Sequence, residues 1–73
     1  MATRLDMRRW DGDKLKILRQ RKRLTQAELG EQMRGSVSQT AVCHWERGMS
    51  PSIGRIQELA DILGVPFESL YAV

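Results

Sequence analysis

Apolar residues recur along this chain at spacings of three and four, the period of amphipathic helices. Leu15 and Leu18 stand one turn apart behind Asp11 and Asp13, either of which can cap a first helix that runs to about Lys22. A second helix starts at Thr25, because Glu28 follows three residues later and each side chain can accept the other's free backbone N–H in a capping box. A third opens at Ser38 and stops at Gly48, a residue suited to the left-handed position past a helix end. Beyond the connector Met49 to Ser52, which contains Pro51, Ser52 caps a fourth helix bearing Ile53, Ile56, Leu59, Ala60 and Leu63, and Gly64 ends it. Val65 and Pro66 lead into a short fifth helix that returns Phe67, Leu70 and Tyr71 to the core. No period-two alternation appears. The expected fold is all-α with five helices over residues 11–73, preceded by an arm, residues 1–10, whose Trp10 tucks against the body.

The second and third helices flank a Gly-containing turn, which makes a helix-turn-helix and puts double-stranded DNA first among candidate partners. At 100° per residue, Gln39, Thr40, Cys43, His44 and Arg47 share one polar face of the third helix. Ala41, Val42 and Trp45 share the opposite face, with Glu46 at its edge, so Trp45 reads as core rather than as a stacking platform. The polar face offers an amide, a hydroxyl with a methyl, an imidazole and a guanidinium, groups suited to base edges and phosphates. A plain solvated face carries Glu and Lys more often. Gln39 can bond adenine N6 and N7 together, Thr40 can meet a thymine methyl or a phosphate, and His44 can reach guanine N7 or a phosphate. Each also has the bland reading of a solvated helix position.

Length and charge narrow the classes. Seventy-three residues suit one small domain with a marginal core and no deep catalytic cleft. A single cysteine permits no internal disulfide, and Met1 to Trp10 has neither the apolar run of a signal peptide nor the length of a membrane span, so a cytoplasmic, membrane-free protein is expected. The net charge of +3 is unevenly spread: residues 1–23 hold nine basic against three acidic side chains, and the remainder three against six. One basic end suits a polyanion, since each neutralised phosphate releases counterions, although a solubilising basic face looks the same in sequence. Cys43 and His44 are adjacent, so a helix turns them 100° apart, too far for a thiol–imidazole pair, and no second Cys or His completes a zinc shell. No enzyme activity, metal or cofactor is expected. Oxidation of an exposed Cys43 would block the groove-facing surface.

Leu24-Thr25-Gln26-x-x-Leu29, Trp45-Glu46-Arg47-Gly48, Pro51-Ser52 and Leu59-Ala60-x-x-Leu63-Gly64-Val65 resemble the Cro/repressor-type (Xre-like) helix-turn-helix family, over roughly residues 13–71. The resemblance implies a five-helix, lambda-repressor-like domain acting as a sequence-specific transcriptional regulator, usually a repressor, that binds as a homodimer. By position, Gln26 would anchor a phosphate and brace the recognition helix, Gln39, Thr40 and His44 match base-reading positions, and Arg47 matches a backbone contact. Arg19 with Glu46 matches a structural ion pair. The turn around Arg34-Gly35-Ser36 is two residues longer than the family pattern, which shifts Ser36 and Ser38, where phosphate contacts fall, relative to that pattern; a longer surface turn costs little entropy. Gly30 replaces a common alanine, which keeps a close helix approach and gives up about 1 kcal/mol of helix propensity. Arg4, Arg8 and Arg9 precede the family's core, as an arm entering a narrow minor groove or as an untethered tail.

These readings combine into two copies of the third helix entering successive major grooves about 34 Å apart at a pseudo-palindromic operator. Phe67 to Val73 supply the expected dimer surface, because Leu70, Tyr71 and Val73 exceed what a core there needs. With no effector domain expected, no small-molecule effector is expected either, and such brevity suits a phage Cro or repressor-like protein. Two rivals stand beside this: an antitoxin or restriction-modification controller of the same fold, and a protein-interaction module without DNA binding. The presence of Gln26, Gln39 and Arg47 argues against the last.

Overall fold

A computed structural model describes residues 9–72, and its helices begin where side chains can satisfy free backbone N–H groups. Asp11 caps α1 (Gly12–Arg21) by accepting the Lys14 N–H at 3.1 Å. The capping box of α2 (Gln26–Gln32) has both halves, Glu28 N–H to Thr25 Oγ1 at 3.0 Å and Thr25 N–H to Glu28 Oε1 at 2.8 Å. Ser38 caps α3 (Gln39–Glu46), and Ser52 caps α4 (Ile53–Leu63), whose C-terminal Gly64 takes the left-handed φ of 71°. Leu15 and Leu18 of α1, Leu29 of α2, Val42 and Trp45 of α3, and Ile56, Leu59 and Leu63 of α4 close on one another to form the core, completed by Met33, Ala60 and Leu70.

Three features depart from the sequence expectation. The fifth element is a single 3-10 turn, Phe67–Leu70, rather than an α-helix: it spans four residues, has no side-chain cap, and gives way at once to an extended segment. That segment, β2 (Tyr71–Ala72), pairs antiparallel with β1 (Arg9–Trp10), so the last residues of the expected arm form half of a two-stranded sheet. Leu70 is wholly buried, which removes it from the expected dimer surface, and Ile53, although on the same face as Ile56, is 70% exposed at the first position of α4. Tyr71 leans on Phe67, with ring centroids 5.4 Å apart. Arg4, Arg8 and Val73 lie outside the described residues.

Two glycines let backbones touch. A Cβ on Gly12 would lie 2.5 Å from the Trp45 carbonyl oxygen, and one on Gly30 would lie 2.0 Å from that of Val37, so α1 and α2 each meet the α3 segment at main-chain distance. Propensity alone would favour Gly30→Ala by about 1 kcal/mol. The backbone collision reverses the sign: overpacking against a main-chain oxygen costs about 1–3 kcal/mol, and we expect the variant to unfold at lower urea. A midpoint above that of the unaltered chain would mean that α2 and α3 separate freely.

The α2–α3 turn is held by its own bonds against local strain. Val37 N–H reaches back to Gly30 O at 2.8 Å and Ser36 N–H to Met33 O at 2.9 Å. Gly35 and Ser36 both adopt left-handed φ, 72° and 59°. For serine this conformation costs about 1 kcal/mol or more.

Candidate nucleic-acid interface

The Ser38 hydroxyl accepts the Ala41 N–H at 3.1 Å, and this cap turns the next two side chains, Gln39 and Thr40, outward. His44 follows one turn later on the same side, with Arg47 exposed at the C-cap and Cys43 half-buried between them. Ala41 is half-buried, while Val42, Trp45 and Glu46 are buried, so α3 presents one polar stripe to solvent. Ser36 is exposed in the turn. Among the described residues no three His, Cys, Asp or Glu side chains gather to hold a metal ion.

Beneath the stripe lies a chain of hydrogen bonds that begins in the core. Arg19 donates from Nε to Glu46 Oε2 at 2.6 Å and from Nη2 to Oε1 at 3.2 Å, while its Nη1 donates to the Leu24 carbonyl at 2.7 Å. Both side chains are more than nine-tenths buried. Gln26, at the start of α2, donates its Nε2 to Glu46 Oε1 at 3.0 Å, and Gln39 donates its Nε2 to Gln26 Oε1 at 3.3 Å. The direction of the chain follows from the carboxylate. Paired with a guanidinium, it only accepts, so Gln26 must turn its nitrogen inward and its oxygen outward. Gln39 must then give one N–H to that oxygen. It keeps one N–H and its carbonyl for a partner, the donor and acceptor that adenine N7 and N6 require, whereas guanine offers two acceptors at N7 and O6.

Thus Gln26, Gln39, Glu46 and Arg19 are brought together, while Ser36 and Arg47 stand apart from this network at the two ends of α3. Two further anchors hold this region, of which only the tuck of Trp10 against the body was expected from the sequence. The Trp10 indole donates to Trp45 O at 2.8 Å, tying β1 to the last turn of α3 beside an open cleft of about 300 Å³ with mixed charges. Glu58 and Arg55 of α4 reach the α2–α3 turn: Glu58 accepts the Arg34 N–H at 2.7 Å, and Arg55 Nη1 donates to Arg34 O at 3.1 Å and to Glu58 at 2.9 Å. The Arg34 N–H, followed by the side chain of Arg55, holds the Glu58 carboxyl below its usual pKa. That contact therefore favours the fold above the ordinary carboxylate range and is lost as pH falls through the lowered value. Neither this i,i+3 pair nor its grip on a turn more than twenty residues away was singled out from the sequence.

A family model described as helix-turn-helix matches residues 15–70, well over half of the chain. No curated protein and no solved structure matches it. Among the described residues no helix is long and apolar enough to cross a membrane.

Proposed function

The chain belongs to the Cro/repressor-type helix-turn-helix family of DNA-binding transcription regulators, and on that premise we propose that it is a repressor that reads a pseudo-palindromic operator as a homodimer. Two α3 helices enter successive major grooves about 34 Å apart on one face of the duplex. Gln39 reads a base, Thr40 and His44 contact neighbouring edges or phosphates, and Arg47, Ser36 and Ser38 lie against the backbone, with Cys43 on the same face; Gln26, its nitrogen given to Glu46 and its oxygen to Gln39, braces the recognition helix. With Leu70 in the core, the part-exposed Phe67 and Tyr71 remain for the dimer contact. The protein acts in the cytoplasm and needs no small-molecule effector, and its domain takes in Arg9 and Trp10, which pair with Tyr71 and Ala72, as well as the residues from 11 onward.

The observation that carries this reading is the Gln39 amide, exposed and held by Gln26 in the sense that matches adenine. Selection of bound duplexes from a randomised pool at near-physiological salt tests it, with enrichment of an inverted repeat expected. On the selected site, Gln39→Ala should cost about 1–3 kcal/mol and flatten preference at one base pair while leaving random-sequence binding intact. An equal loss on both DNAs would remove Gln39 from base reading.

A further inference from the structure

Resting on the regulator reading above, we propose that Arg55 and Glu58 of α4 are positioning residues for the DNA interface, acting through the backbone of Arg34. Arg34 is the first residue of the elongated turn, and α4 takes both of its main-chain polar groups, the N–H by Glu58 and the carbonyl by Arg55. The two side chains also bond each other at 2.9 Å, so each holds the other in place for the grip. The turn's own bonds, Val37 N–H to Gly30 O and Ser36 N–H to Met33 O, work against a Gly35 that can leave its left-handed conformation and a Ser36 that is strained in it, and neither of them engages Arg34. The hold on Arg34 comes from α4, outside the motif. Two residues beyond Ser36 the chain reaches the Ser38 cap and then Gln39, whose bond to Gln26 is already at 3.3 Å, near the outer limit for a hydrogen bond. A small displacement of the turn breaks it, and with it the restraint on the reading amide.

The grip uses only the backbone of Arg34, and among the described residues no hydrogen bond engages its guanidinium. This yields a discriminating set of variants. Glu58→Ala should lower the ratio of operator to random-DNA affinity about tenfold, as for loss of one hydrogen bond to a charged group, with the flattening greatest at the base pair that Gln39 reads. Glu58→Gln, which keeps an oxygen for the Arg34 N–H, should retain most of the ratio. Arg34→Ala should leave the ratio unchanged, even if it weakens both DNAs alike. In the free protein, the Arg34 amide should exchange slowly with solvent and become fast in Glu58→Ala, with resonances of the first turn of α3 shifting in step. An unchanged ratio in Glu58→Ala overturns the proposal. So does a loss on both DNAs that merely follows a fall in melting temperature, since the pair would then be structural only. If no operator is ever selected, the regulator reading fails instead, and the amide exchange and the α3 resonances still decide whether α4 sets the recognition helix.

Discussion

Arg19→Met should destabilise the domain by about 3–5 kcal/mol, because it strands the Glu46 carboxylate in a site more than nine-tenths buried where, among the described residues, only the Gln26 amide remains as a polar partner. A fold of 73 residues holds roughly 4–11 kcal/mol in total at about 0.05–0.15 kcal/mol per residue. The single variant should therefore be largely unfolded in urea concentrations that leave the unaltered chain folded. Replacing both partners, Arg19→Met with Glu46→Met, removes the uncompensated charge and should recover most of the loss, since a buried pair and well-packed apolar groups of similar size differ little in free energy. The recovered protein is the informative one. Its Gln26 has lost the acceptor that orients it, so discrimination at the base pair read by Gln39 should fall although the fold has returned. Full discrimination in the double variant would separate the ion pair from recognition and leave it a purely structural contact.

Trp45→Ala should cost about 3–5 kcal/mol, as for other large aromatic residues removed from a core. The ring is 8% exposed and belongs to the core cluster to which all four α-helices contribute. It lies on the recognition helix, so two outcomes are distinct: loss of cooperative unfolding and of DNA binding together, as expected for a core residue, or a folded variant with weakened DNA binding alone. The second would place the indole at the interface. The Trp10 indole bonds the Trp45 main-chain oxygen, which survives the substitution, so the loss reads the ring itself.

Where the sequence was legible, the signal was local. A capping box uses residues three apart, and Thr25 with Glu28 supplies both of its bonds within one turn. Ser38, Ser52 and Gly64 likewise set helix ends from their own backbone neighbourhoods. The burial of Val42 and Trp45 and the exposure of Gln39, Thr40, His44 and Arg47 follow from the helical step once one face is known to be apolar. The fifth helix failed because Pro66 and three apolar residues satisfy the helix pattern over four residues, too short a length for period to separate a 3-10 turn from an α-helix. The β1–β2 pair failed for a related reason: two residues on each side carry no alternation to read.

The pairing of Arg19 with Glu46 entered through family resemblance, because nothing in a separation of 27 residues announces a contact. The four α-helices, their side-chain caps and the polar stripe of α3 could be read from the chain alone, all consequences of interactions within one or two turns. Only the tertiary structure decided that Gly30 lies against the Val37 carbonyl, that the last residues close a sheet over the start of α1, and that Glu46 orients Gln26 and, through it, Gln39. The physical reason is the same in each case: a close approach, a strand pair and a directed hydrogen bond each need two distant segments at a defined separation, and that separation exists only after the core has packed.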